Sequence, residues 1–272
     1  MAFRNIRLGF LNAYREAGIA NVTSEQTQDA LYPIDNIMDD SASRTFRTNV
    51  SLGTHRIIVD RGLGWAALRG IDRIYIPAGH NLTGNLEVKD DSAIDFVTTP
   101  ATLLTATAVS TTVGEAFQDE FTASTQRFVG VNFTSTGLWH IPEIILSETR
   151  TFVRGASMDD AIDTLEHQNL FIQHGNGAIT VIELGGDRRR FEATWHNMHD
   201  ADLTLLEEFI AEVGTSRPFL IDPPSFSATP DTDEPTRWVR LAGDVQRRWA
   251  NPATGTGIKR QTMTLVFEDH LG

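Results

Sequence analysis

Arg56-Ile57-Ile58-Val59-Asp60 and Ile71-Asp72-Arg73-Ile74-Tyr75-Ile76 decide the fold class of the first half. Each is a short apolar run rich in β-branched residues, with glycines nearby. Such runs pack well on a pleated, half-buried surface and are too short for buried helices. Asn85–Val88, Arg127–Phe133 and Ile141–Leu146 repeat the character. Several short strands separated by Gly, Pro, Asn and Asp predict a sandwich or barrel. Residues 98–113, mixed Ala, Thr, Val and Leu after Pro100, have no helical stripe and read as an edge strand or a long loop.

The second half has a different texture. Phe152 to Asp163 reads as a connector. Ala178–Leu184 reads as a strand, followed by the turn Gly185-Gly186-Asp187. Phe191, Ala193 and Trp195 then alternate with Arg190, Glu192 and Thr194, so the two segments are expected to pair as a hairpin. One helix is clear. Asp200 is the expected N-cap, Leu203, Leu206, Phe209, Ile210 and Val213 form a stripe at helical spacing, and Gly214 ends it. Strands are expected at Arg217–Ile221, through Trp238–Leu241, and at Gln261–Glu268, where Met263, Leu265 and Phe267 share a face. Residues 222–236 form a Pro/Ser/Asp-rich loop.

Composition removes several function classes. The 272 residues include no cysteine, which excludes disulfides, thiolate catalysis and Cys-ligated metal. A net charge of -13, with acid in excess in both halves, argues against a nucleic-acid grip. No apolar stretch approaches the roughly 20 residues needed to span a bilayer, so no membrane insertion is expected.

Catalytic motifs are imitated and not completed. Gly62-Leu63-Gly64-Trp65 follows a strand, but Gly70 stops any helix that could complete a dinucleotide fingerprint. His196 and His199 could share a metal only if a carboxylate joined them, and a lone His pair beside an N-cap reads as capping or surface; the acid pairs Asp39-Asp40 and Asp90-Asp91 lie in loop-like sequence. The chain is expected not to be an enzyme.

Four stretches in order carry a family likeness. Pro33-Ile34-Asp35-Asn36-Ile37-Met38-Asp39-Asp40 precedes Phe46, Val59-Asp60-Arg61-Gly62 ends a strand, Gly79-His80-Asn81-Leu82 follows another, and Glu143-Ile144 lies near the end. With these the first half resembles the galactose-binding-like family, the discoidin or coagulation-factor C-type jelly-roll sandwich. The Gly-His-Asn-Leu variant is similar to one in tailed-bacteriophage proteins. Arg190–Trp195, Asp200–Phe209 and Pro218–Pro223 resemble the module of siphophage distal-tail and minor tail proteins, in reversed domain order.

The resemblance implies a mainly β chain of two domains. Residues 1–148 would form the jelly-roll sandwich, and residues 149–272 a tail-tube-like β-sandwich or α+β module with one helix. It implies a structural component of a phage tail tip or baseplate, in the virion tail and assembled in the host cytoplasm. Its partners would be the tail tube, hub and tape-measure proteins, in a homo-oligomeric ring (trimer or hexamer). The alternative is a carbohydrate-binding adhesin for a host-surface glycan. Aromatics on loops at one rim would then hold the sugar, with Trp65, Phe96, Trp139 and His140 as candidates and core packing as the competing role for each. No organic cofactor is implied. A structural calcium would sit on Asp39, Ser43 and Glu143, with Asp40 nearby. Against it stands an ion pair from Glu143 to Arg44 or Arg47.

Overall fold

A computed structural model describes residues 6–10, 12–17, 21–25, 28–40, 44–49, 55–64, 69–97, 100–109, 115–134, 137–152, 156–166, 169–173, 179–183, 188–196, 198, 200–214, 217–222, 236–243, 245–250 and 260–270. The chain is mainly β and divides into two compact units: Gly9–Arg150, and Met1–Leu8 with Thr151–Leu271. The division falls inside the first strand, β1 (Arg7–Phe10).

The unit over residues 9–150 begins with the short helix α1 (Ala13–Ala17) and β2 (Val22–Ser24). A 3-10 turn (Ile34–Met38) and β3 (Phe46–Arg47) follow. Next come β4 (His55–Asp60), β5 (Ile71–Ile76), β6 (Asn85–Asp91) and β7 (Ala101–Ala108). The unit closes with β8 (Phe117–Ser124), β9 (Phe128–Phe133), β10 (His140–Ile141) and β11 (Ile145–Thr151). One antiparallel sheet runs β2-β4-β9-β6-β7 and a second runs β11-β5-β8, with β3 and β10 paired apart from both. This is the expected jelly-roll sandwich, with β7 at the edge of its sheet, the first of the two readings of that stretch.

Alternation explains the packing. Ile57 and Val59 of β4, Leu86 and Val88 of β6, and Val129, Val131 and Phe133 of β9 point to one face of the five-stranded sheet. They share a single core with Ile74, Ile76, Phe117 and Leu146 of the facing sheet. The opposite face of the larger sheet carries a small cluster of Ile58, Phe96 and Phe128. Gly130 of β9 lies under it, where a Cβ would come within 2.8 Å of Arg56 Cδ and 3.0 Å of Phe96 Cζ, so only glycine admits this stacking.

The other unit continues with β12 (Ser157–Glu166), β13 (Asn169–Gln173), β14 (Ile179–Glu183) and β15 (Arg188–Trp195). Helix α2 (Asp200–Val213) precedes β16 (Phe219–Asp222), β17 (Arg237–Leu241), β18 (Gln246–Ala250) and β19 (Arg260–Asp269). Its sheet runs β12-β15-β19-β17-β16-β1, and β18 also pairs with β19. Arg7 of β1 pairs with the buried Asp222 at 2.6 Å, and Thr236 Oγ1 donates to that carboxylate. Met263, Leu265 and Phe267 of β19 are buried on one face as their alternation requires. Phe209 of α2 packs edge-on against Phe219 at 4.6 Å, which seats the helix on the sheet. Gly214 ends α2 at φ 56°, the left-handed geometry that glycine adopts without penalty.

Three readings of this half are corrected. The expected connector contains a strand, since Ser157–Glu166 pairs with β15. The strand at Ile179–Glu183 pairs with β13, not with β15. Turn signals flank it on both sides, Gly175-Asn176-Gly177 before and Gly185-Gly186-Asp187 after, and the hairpin closes across the first. Asp200 is the first helical residue; Asp202, in the first turn, is 2% exposed.

Candidate functional site

One rim of the sandwich unit is built by the ends of β3 and β10. These two-residue strands pair antiparallel, His140 opposite Arg47 and Ile141 opposite Phe46. Side chains alternate, so Phe46 and Ile141, both 0% exposed, enter the core while Arg47 and His140 point the other way, half-buried. Opposed residues lie about 5 Å apart at Cα. The rim therefore sets a guanidinium beside an imidazole.

Neighbouring loops are tied to this pair through the backbone. Asn81 takes the His140 N–H on its Oδ1 at 2.7 Å and donates from Nδ2 to the Leu138 carbonyl at 2.8 Å. Its own N–H donates to the His140 carbonyl at 3.1 Å. Within the same Gly-His-Asn-Leu stretch, Gly79 sits at φ 98° and His80 Nδ1 accepts the Leu82 N–H at 3.2 Å, so the motif is a turn that aims Asn81 at β10. On the other side, Asp29 folds the chain back. Its Oδ1 accepts the Leu31 N–H at 3.0 Å, its N–H donates to the Arg47 carbonyl, and the Arg47 N–H donates to the Tyr32 carbonyl. That places the Tyr32 ring under the Arg47 guanidinium, 3.9 Å from Cζ to the ring centroid. Leu31 and Leu138, 81% and 54% exposed, flank the arrangement.

Electrostatics distinguish the two polar groups. Burial first, and the Arg47 charge second, hold the His140 imidazole below its ordinary pKa, so the ring is neutral at neutral pH and offers one donor and one acceptor. Arg47 has no carboxylate within ion-pair distance among the described residues, and its Nε is buried without an acceptor there. A stacked guanidinium, a neutral imidazole and an aromatic ring on a rigid rim can hold a polyhydroxylated ligand.

Of the four aromatic and imidazole candidates from sequence, His140 lies in this rim. Trp139 does not present its ring there. It is 1% exposed and packs edge-on against His55 at 4.7 Å and Phe133 at 5.0 Å. Its N–H donates to Thr48 Oγ1 at 2.9 Å. Alternation next to His140 turns it into the core, so its proposed sugar contact is corrected to core packing. Phe96 is corrected likewise. It is 6% exposed, its ring lies 4.5 Å beneath the Arg56 guanidinium, and its backbone is held at φ 54°. Trp65 lies outside the described residues. Tyr32, Arg47 and Asn81 were not among the sequence candidates; the in-and-out alternation of Phe46-Arg47 beside a Gly-His-Asn turn is the signal that could have found them.

The proposed calcium corner gathers elsewhere in the same unit. Glu143 is 0% exposed; its Oε1 accepts Asn12 Nδ2 at 3.0 Å and its Oε2 has no partner among the described residues. Burial, then the nearby Asp39 charge, pushes its carboxyl well above the usual range. Asn36 fixes the preceding turn by donating to the Thr45 carbonyl at 2.8 Å, and the Ile144 N–H donates to the Ile37 carbonyl. Asp40, at φ 59°, forms an ion pair with Arg15, and Asp39 lies 3.6 Å from Arg44. The expected pairing of Glu143 with Arg44 or Arg47 is therefore absent among the described residues. Ser43 lies outside them. No group of three acidic or histidine side chains converges among the described residues. Glu143 and Asp39 are the two carboxylates of the expected set that influence one another here.

No protein-family model and no curated protein matches the sequence. Solved structures do. Chitosan-binding module 1 of a Paenibacillus sp. IK-5 chitosanase/glucanase is 16% identical over 52% of this chain and 98% of that one, at a TM-score of 0.39. The module CBM32-1 from a Clostridium perfringens family 31 glycoside hydrolase is 15% identical over 47% and 94%, at 0.36. CpGH89CBM32-5 from the same organism, solved with GalNAc-beta-1,3-galactose, is 9% identical over 46% and 93%, at 0.38.

Proposed function

We propose that the sandwich unit is a carbohydrate-binding module that holds a glycan at the Tyr32–Arg47–His140 rim, and that the chain binds without catalysing. The observation that carries this is the β3–β10 register, which sets His140 beside Arg47, whose guanidinium lies over the Tyr32 ring, on a rim tied by backbone hydrogen bonds. A guanidinium fork and a neutral imidazole suit ring hydroxyls, and the Tyr32 and Leu138 side chains suit the apolar face of a sugar. The test is isothermal titration with galactose-type oligosaccharides. Wild type is expected to bind, and Arg47→Ala and His140→Ala to lose binding with unchanged melting temperatures. Undiminished binding by both variants would remove the rim from the reading.

A structural calcium held by Glu143 and Asp39 is a second proposal, supported by the orphaned Glu143 Oε2. Bound, it would neutralise the buried Glu143 and the half-buried Asp39. Calcium would raise the melting temperature, chelator would lower it, and Glu143→Gln would remove the difference. Equal melting temperatures with calcium and with chelator would refute it.

We also propose, from the sequence resemblance, that the chain works on a phage tail tip, with the α+β unit assembling into a ring and contacting tail proteins in the virion. The β15–α2–β16 order, strand, helix and strand as that resemblance implies, supports it. Purified protein that stays monomeric and binds no other tail protein would count against it.

A further inference from the structure

We propose that the saccharide at this rim is acidic: Arg47 is the counter-charge for a carboxylate or phosphate on the sugar. This rests on the rim reading above and adds the class of ligand. The first ground is how the unit treats four other arginines. Arg56 lies 3.5 Å from Glu25, Arg73 2.8 Å from Glu120, Arg127 2.7 Å from Asp60 and Arg150 2.9 Å from Glu148. In a chain with 36 acidic and 23 basic residues a carboxylate partner is easily supplied. Arg47 is stacked on Tyr32 instead, with no carboxylate at ion-pair distance among the described residues.

The second ground is geometry. Stacking on a ring fixes the guanidinium plane and leaves its in-plane N–H groups to meet a ligand. Nε is buried, so the terminal nitrogens are the ones a ligand reaches. Two N–H groups in a fixed fork match the two oxygens of a carboxylate or of a phosphate, and a half-buried cation gains more from an anion than from neutral hydroxyls. His140, opposite in the β-pair, is the second polar contact, and no acidic residue joins it there in the strand register.

The test compares three probes on the full chain at one pH and ionic strength: a galacturonate oligosaccharide, the same oligosaccharide with its carboxyls reduced to alcohols, and a sugar phosphate. An acidic probe is expected to bind about ten- to a hundredfold more tightly than the reduced one, the scale of one charge-assisted contact. The advantage should vanish in Arg47→Gln and in Arg47→Ala, with the melting temperature as the control for folding. Which acidic probe binds separates a carboxylate ligand from a phosphate one. If the reduced oligosaccharide binds as well as the acid and Arg47→Ala abolishes both, the charge inference is overturned and the rim reading stands. If none of the three binds, both fall.

Discussion

Trp139→Ala separates a tryptophan that faces a ligand from one that holds the core. The indole is 1% exposed and packed by His55 and Phe133. A buried tryptophan hides about 200 Å². At about 25 cal/mol per Å² that corresponds to about 5 kcal/mol. Residual compaction of the unfolded chain trims the figure by about a quarter. The two edge-on ring pairs add about 1 kcal/mol. A loss of about 4–5 kcal/mol is therefore expected, at the upper end of the range for aromatic truncation in cores, about 3–5 kcal/mol. The Trp139 N–H to Thr48 Oγ1 bond is made by the backbone and survives the substitution. Against a typical total of about 5–15 kcal/mol this removes much of the stability of the unit Gly9–Arg150. Hydrogen exchange read by mass spectrometry in rising urea resolves the two units. The slowest amides of β4 and β9 should lose protection by that amount, and peptides from the α+β unit should not change. A loss below about 1 kcal/mol, the level of an ordinary surface substitution, with glycan binding abolished would refute the reasoning and return Trp139 to the binding surface.

Three further outcomes follow from named contacts. Without a bound cation, Glu143 has a folded-state pKa raised above its unfolded value, so its contribution to stability is complete below the unfolded value and is lost as pH rises through the folded one. Melting temperature without calcium should therefore fall above about pH 4.5, more steeply in wild type than in Glu143→Gln, and equal slopes would contradict the assignment. His140 has the opposite sign: its folded pKa is depressed, so acidification below about pH 6.5 should cost wild type more stability than His140→Gln. Deleting residues 1–8 removes Ile6 and Leu8, both 0% exposed, and the Arg7 partner of buried Asp222. The burial term alone is about 3–6 kcal/mol, so the α+β unit should lose its cooperative transition while the sandwich keeps its own; a scan with both transitions unchanged would contradict that.

The sandwich was legible because its strands carry their instructions locally. Ile57 and Val59, Leu86 and Val88, and Val129, Val131 and Phe133 mark their inner faces by alternation, and the helix at Asp200–Val213 shows its stripe and its glycine stop. Pairing was less legible, because a strand such as Ile179–Glu183 does not reveal which of two flanking turns closes its hairpin. The two-residue strands β3 and β10 are too short to show a period, yet they build the rim. Aromatic character pointed to Trp139 and Phe96, but residue type alone does not tell an exposed ring from a buried one. That distinction is made by the neighbour that covers it: His55 and Phe133 on one, Arg56 on the other.

The central claim is that the Tyr32–Arg47–His140 rim reads a sugar. Wild type and Arg47→Ala, matched in melting temperature, can be compared on one array of neutral and acidic glycans. The account predicts a defined set of glycans bound by wild type and lost in the variant. An array blank for wild type, or the same glycans held equally by both proteins, would contradict it.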